Sequence, residues 1–310
     1  MLSKLKLVLF AFLTIGLLAA CTTESPTTDG EEEGSSNDDD EIHVGLAVST
    51  QNNPFFVTLK DGAEAKADEL GIELTVVDAQ DDAATQLNSI EDLIQQGVDV
   101  LVVNPTDSEA VVSAVENAND AGIPVVTVDR SADGGEVVAH VASDNVAGGE
   151  MAGDFIIEQL GGEGNVVELE GIPGSSAARE RGEGFHNAVG EEDGIEVVAQ
   201  QPADFDRAEG LTVMENIIQS ESDFEAVFAH NDEMALGALR ALESADMDDV
   251  IVVGFDATDD AVEAVEAGEM DATIAQQPTI IGEQGIEIAL QIANGENVDE
   301  FIPVELELVK

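Results

Sequence analysis

The chain reads as an α/β protein of two doubly wound parallel-sheet lobes, and three observations predict this. Short β-rich runs alternate with helical stretches from residue 42 onward. Several strands are nearly continuous apolar runs, among them Val98-Asp99-Val100-Leu101-Val102-Val103, Pro124-Val125-Val126-Thr127-Val128 and Val250-Ile251-Val252-Val253. The alternation then restarts after Ser143-Asp144. Runs apolar at consecutive positions are buried on both faces, which requires a parallel sheet with helices on each side. The restart gives a second such sheet in a folded region of about 270 residues, long enough for two lobes.

In order, the first half is expected as strand 42–50, helix 54–70, strand 73–78, helix 83–96, strand 99–104, helix 108–121 and strand 124–128. The first helix has a start signal, Asn53-Pro54, an N-cap followed by proline at the first helical position. The second half is expected as helix 145–160, strand 165–170, helix 176–189, strand 195–201, helix 207–219, strand 226–230, helix 233–242, strand 250–255, helix 259–267 and strand 272–276. A last helix, 280–293, and a strand, 303–309, have no sheet of their own and are expected to cross back, making the lobes discontinuous in sequence. Doubly wound sheets bind ligands at the carboxyl ends of their strands, so two that face each other make a cleft.

Composition bounds the environment. The 310 residues carry 67 acids against 10 bases, a net charge of −57, well beyond what solubility needs. At molar salt the Debye length falls to about 3 Å and self-repulsion is screened, so the chain reads as halophilic. A hydrophobic fraction of 44% separates it from acidic disordered proteins. Phosphate binding needs clustered Lys and Arg, so nucleic acid is excluded as a partner. Between Lys66 and Lys310 the cations are Arg130, Arg179, Arg181, Arg207 and Arg240 alone. Positive charges kept in such a chain are the first places to look for chemistry.

Residues 1–20 begin with Lys4 and Lys6, continue as an apolar run too short to span a bilayer comfortably and end in Leu18-Ala19-Ala20 before Cys21. That is the form of a secretory signal peptide rather than a membrane helix. The sequence around Cys21, the one cysteine, resembles a bacterial lipoprotein lipobox, which implies acylation at Cys21 and an extracytoplasmic, membrane-anchored location. One thiol allows no intrachain disulfide. Residues 21–41, which after Cys21 are Ser, Thr, Asn, Gly, Asp and Glu with one proline, read as an acidic disordered linker.

The strand ends carry one chemical set. Ser49 to Phe56 follow the first strand, Asp129-Arg130 the fourth and Ser176 to Gly182 the first of the second half. Phe205-Asp206-Arg207, Asn231-Asp232-Glu233, Phe255-Asp256 and Gln276 follow later ones. A sugar offers hydroxyls that donate and accept, together with apolar C–H faces. Asp accepts, Arg donates as a fork, Asn and Gln do both, and rings cover the C–H faces. With no Trp or Tyr, Phe55, Phe56 and Phe205 are the available platforms. Asp129 and Asp256 offset the arginine charge, so the set fits a neutral polyol better than an anion.

The segments 49–56, 128–130, 176–185, 201–207, 231–240 and 253–256 resemble the bacterial periplasmic ribose-binding family, sugar-binding members of the ABC-transporter solute-binding proteins with the type I periplasmic binding protein fold. The likeness covers essentially all of 42–310. It implies a lobe of residues 42–143 plus 277–305, another of 144–276 plus 306–310, and three hinge crossings. It implies D-ribose, or a similar monosaccharide, held by Ser49, Asn53, Phe55, Phe56, Asp129 and Arg130 from one lobe. Arg181, Phe205, Asn231, Asp256 and Gln276 come from the other lobe and the hinge. The implied partners are an ABC importer permease and, as a further candidate, a chemoreceptor; no cofactor or catalysis is implied. His230 and Gln277 depart from the glutamine and apolar residue expected at those places.

Blander roles compete at several positions. Arg130 and Arg181 could form salt bridges to neighbours such as Glu180, and Arg207 and Arg240, on helices amid acids, are expected as structural ion pairs. Gly171-Ile172-Pro173-Gly174-Ser175-Ser176 lacks the Gly-Lys-Ser/Thr ending of a phosphate loop. His43, His140, His186 and His230 show no metal-ligand spacing, and no Ser-His-Asp arrangement stands out. A sugar-responsive repressor would carry an N-terminal helix-turn-helix where this chain has a signal. A sensor subunit feeding a kinase, and binders of allose, another pentose or a furanosyl signal molecule, are alternatives within the same fold.

Overall fold

In the computed structural model, which describes residues 42–310, strand and helix alternate as the apolar runs dictate. The first series is β1 (His43–Val48), α1 (Pro54–Leu70), β2 (Glu73–Asp78), α2 (Ala83–Gln96), β3 (Val100–Val103), α3 (Val112–Asp120), β4 (Val125–Val128) and β5 (Ala139–Ser143). The second is α4 (Asn145–Leu160), β6 (Gly164–Glu170), α5 (Ser176–Val189), β7 (Ile195–Pro202), α6 (Arg207–Ser220), β8 (Ala226–Ala229), α7 (Asp232–Ser244), β9 (Ile251–Asp256), α8 (Asp259–Ala267) and β10 (Ala272–Ala275). α9 (Pro278–Ala293), β11 (Phe301–Val304) and β12 (Glu307–Val309) close the chain. The expected signal peptide, the expected acylation site Cys21 and the expected linker lie outside the described residues.

Two six-stranded sheets result, in the orders β2-β1-β3-β4-β5-β11 and β7-β6-β8-β9-β10-β12. Every pairing is parallel except that of β10 with β12. Each sheet is covered on both faces by apolar clusters. Leu59 and Ile281 pack on one side of the first sheet and Ile90 and Leu93 on the other, while Met214 and Ile217 face Phe185 and Ile156 across the second. That is why β3, Val100-Leu101-Val102-Val103, is buried at every position. Side-chain caps start the helices at Asn53, Asp82, Asp144, Asp206 and Asn231, and left-handed glycines end α1, α2, α4 and α8.

Three elements differ from the sequence expectation. The helix expected over 108–121 begins at Val112. Asp107 Oδ1 accepts from the backbone N–H groups of Glu109 and Ala110, holding a turn there, while the Ser108 N–H donates to the Gly174 carbonyl at 2.9 Å. β5 was not expected, because Ala139-His140-Val141-Ala142-Ser143 has a single β-branched residue; its place comes from pairing between β4 and β11. The single strand expected over 303–309 is two strands in two sheets. Pro303, which has no N–H to give a ladder, sits on β11 at the sheet's edge.

Candidate ligand-binding site

The carboxyl ends of β1, β4, β8, β9 and β10 deliver side chains to one cavity between the two sheets. Asn53 caps α1, its Oδ1 accepting from the Phe55 N–H at 2.9 Å, and so fixes where Phe55 and Phe56 enter the cleft. Asn231 does the same for α7, accepting from the Met234 N–H at 3.0 Å and donating to the Phe205 carbonyl at 3.2 Å. Asp129, Phe205 and Asp256 have φ of 63°, 60° and 115°. Non-glycine residues held in that region store strain, and such strain clusters at binding sites.

The cavity is lined by Asn53, Phe55, Phe56, Asp129, Arg130, Arg181, Phe205, Asn231, Asp256 and Gln276, together with Ala177. These are ten of the eleven residues singled out from the sequence. Ser49 is the exception. It is fully buried behind the lining, where its N–H donates to Asn104 Oδ1 at 3.1 Å. The lobes stand closed, leaving a cavity of about 10 Å³ between them. A roomier recess of about 310 Å³ lies on the outer side of α7, between Leu236, Leu239, Met247 and Arg240. Its arginines already pair with acids, Arg207 with Glu233 and Asp260 and Arg240 with Glu243, as expected of structural ion pairs.

Two buried guanidiniums organise the cleft. Arg130 lies between rings from opposite sides, its Cζ 4.9 Å from the Phe56 centroid and 5.1 Å from that of Phe205. Its Nε is 3.7 Å from Asp129 Oδ2. Arg181 donates from Nε to Asn145 Oδ1 at 2.9 Å and from a terminal nitrogen to the His230 carbonyl at 2.6 Å, and that nitrogen is 3.6 Å from Asp256 Oδ1. Its Cζ sits 3.8 Å from the Phe255 centroid. Glu180, the acid weighed as its partner, accepts from Asn145 instead.

Burial pushes the Asp129 carboxyl up, against the pull of Arg130 and Arg181. Burial likewise raises Asp256, opposed chiefly by Arg181, and raises Asp232, with the Asp256 charge adding to the effect. Asp129 Oδ1, Arg130 Nε and Gln276 Oε1 are buried without a hydrogen-bond partner. In a native protein such groups call for an explanation. Two acceptors and a donor left unpartnered on residues that line one cavity suit a ligand whose groups both donate and accept, which is the chemistry of hydroxyls.

Several supporting residues were missed in the sequence. Asn104 donates to Asp129 Oδ2 at 3.1 Å and to the Val128 carbonyl, fixing the strained turn at Asp129. It directly follows β3, so the strand-end rule that found Asp129 applies to it too. Asn145 anchors Arg181 and lies beside Asp144 at the restart. Glu168, fully buried within β6, lies 2.9 Å from His230 Nε2 and 2.8 Å from His186 Nε2. Its signal was an acid inside an apolar strand. His230, the departure from the expected glutamine, therefore meets a buried carboxylate. Gln277, the other departure, donates to the Glu305 carbonyl at 3.1 Å and joins two of the crossings between the sheets. Arg179 spans the cleft, reaching Asp133 at 2.9 Å.

Comparison with known proteins agrees with this architecture. Residues 44–297 match the family model described as periplasmic binding protein domain. The chain is 57% identical over 266 residues to the ribose import binding protein RbsB of Haemophilus influenzae, covering 86% of this chain and 90% of the relative. It is 51% identical over 296 residues to that of Bacillus subtilis, covering 96% and 95%. Among solved structures, an ABC transporter solute binding protein from Bacillus halodurans C-125 with bound myo-inositol superposes with a TM-score of 0.82 at 38% identity, covering 86% of this chain and 94% of that one. One from Actinobacillus succinogenes 130z with bound D-allose gives 0.82 at 32% identity, over 87% and 97%. With two parallel-sheet lobes closed on a polar, ring-lined cleft, the chain belongs to the type I periplasmic binding protein family.

Proposed function

We propose that the chain is the solute-binding component of an ABC importer and that its ligand is D-ribose. The observation that carries this reading is the convergence of Asp129 Oδ1, Arg130 Nε and Gln276 Oε1, all buried and unpartnered, on a cavity ringed by Phe55, Phe56 and Phe205. The high identity to proteins named for ribose import supports ribose over other polyols. The ten lining residues named from the sequence are the contacts, with Ser49 supporting them from behind. No bond is made or broken. Sugar selects the closed form because only there do both lobes touch it. The chain passes between the sheets near Ser143–Asp144, Gln276–Gln277 and Glu305–Leu306, and these crossings act as the hinge. Cys21, acylated after removal of the signal, tethers the protein outside the cytoplasm, and the closed lobes present a face to the permease or to a chemoreceptor. Solved relatives that hold D-allose and myo-inositol favour a second reading, a wider polyol specificity.

Calorimetric titration in molar salt with D-ribose, D-allose, myo-inositol and D-galactose tests this. Micromolar or tighter binding of ribose, with the others at least about tenfold weaker, is expected. Heat from none of them, in folded protein, would overturn the sugar reading.

A further inference from the structure

Three carboxylates and two guanidiniums share the closed cleft and its floor. Asp129, Asp232 and Asp256 are each at most 6% exposed, and Arg130 and Arg181 are 3% exposed. Fully ionised, the set carries one uncompensated negative charge in a space with room for about one water centre. A charge buried that deeply without a counter-charge is relieved by taking a proton.

Asp232, the first residue of α7, does not line the cavity. Its Oδ2 accepts from the Thr258 N–H and its Oδ1 from the Thr273 hydroxyl, both at 2.7 Å. A Cβ on Gly254 would collide with Asp232 Oδ1. Asp232 therefore lies against the face of β9 that carries Asp256 two residues on. Asp256 itself faces Arg181 from α5, Asp129 and Arg130 from the end of β4, and Gln276, whose Nε2 donates to its Oδ1 at 2.9 Å. Glu233, Asp259 and Asp260 line the adjoining recess and add no positive charge. Both Asp232 oxygens already accept, whereas among the described residues Asp256 Oδ2 has no hydrogen-bond partner.

We propose that Asp232 is a positioning residue that sets sugar affinity through Asp256: the pair holds one proton in the closed cleft, so closing on sugar takes a proton from solution. The inference rests on the sugar-binding reading. Opening the cleft hydrates Asp256 and loosens its hold on the proton; closing tightens it. Because the closed form holds the proton more tightly, affinity rises as pH falls from neutrality toward the ordinary carboxylate range. The slope is up to about tenfold per pH unit for a full proton, and it levels off where neither form is protonated.

The test is calorimetry with D-ribose at pH about 6, in molar salt, in two buffers of different ionisation enthalpy; that pH lies inside the expected window. Wild-type protein should take up close to one proton per sugar bound, and Asp232→Asn, whose amide can still accept from Thr258 and donate to Thr273, should take up less than half of that. His186→Gln with His230→Gln should leave the uptake intact, and this variant decides the matter if Asp232→Asn does not fold. Binding without buffer-dependent heat, proton release, undiminished uptake in Asp232→Asn, or loss of uptake in the histidine variant would each overturn the inference while leaving the sugar reading standing. No binding of any sugar would overturn both.

Discussion

Arg181→Ala separates what holds a lobe from what closes the cleft. Asn145, His230 and Asp256, which hold the guanidinium in the free protein, all belong to the segment 144–276, so their loss weakens that sheet's surroundings whether or not sugar is present. Affinity depends instead on what closure adds: donors to the ligand, and the attraction between Arg181 and Asp129 from the other sheet. Without Arg181, closing buries Asp129 and Asp256 against Arg130 alone. Breaking a buried ion pair by removing one partner costs about 3–5 kcal/mol, which is about two to four orders of magnitude in Kd. Asp256, already pushed up by burial, can relieve part of that cost by protonating, so the loss should be smaller at pH 6 than at pH 8. Calorimetry with D-ribose on Arg181→Ala, beside Arg181→Lys to retain the charge without the fork, measures it. Affinity within about threefold of wild type at both pH values would refute the assignment of Arg181 to the site.

Two other perturbations probe the rest of the charge distribution. Arg240→Ala removes an exposed pair, 69% and 67% accessible on its two sides, so sugar affinity should not change and stability should move by no more than about 0.5 kcal/mol in denaturant unfolding. A large affinity loss would mean that the recess on the outer side of α7 communicates with the cleft. Lowering salt from about 2 M to about 0.2 M should reduce the melting temperature by at least about 5 °C, because screening of the net charge of −57 is withdrawn. A melting temperature constant over that range would remove the halophilic reading.

The fold was legible because its strands are buried on both faces. A short β-branched apolar run such as Val100-Leu101-Val102-Val103, set between helical stretches, reads as the middle of a covered parallel sheet, and its carboxyl end then marks the site. β5 escaped because Ala139-His140-Val141-Ala142-Ser143 is defined by neighbours far away in sequence, Val126 and Phe301 among them. The break between β11 and β12 escaped for the same reason: three or four residues on each side of Glu305-Leu306 take partners in different sheets. Asn53 and Asn231 were legible since each caps a helix at a strand end. Ser49 follows the same rule but its backbone is turned to Asn104, a detail of register that no local pattern encodes.

The acidity of the chain decided which charges could be read. With cations almost eliminated, several of those among the described residues tie elements together or lie in the cleft. Lys66 ties α1 to Glu287 on α9, Arg207 joins α6 to Glu233 and Asp260, Arg179 reaches across the cleft to Asp133, and Arg130 and Arg181 are buried in the cleft. Acids carry no such information when there are 67 of them, and so Glu168 went unnoticed and Asp232, though it stands in the strand-end set, was not singled out; both are fully buried. Their burial reverses the meaning they would have on the surface. In the salty medium proposed for this chain a surface carboxylate is screened and costs little, whereas charges buried in a closed cleft are screened much less. The charge balance inside must come from Arg130, Arg181 and a proton. The medium that tolerates the exterior charge therefore leaves the interior balance to the side chains, and the third carboxylate at Asp232 makes that balance depend on pH.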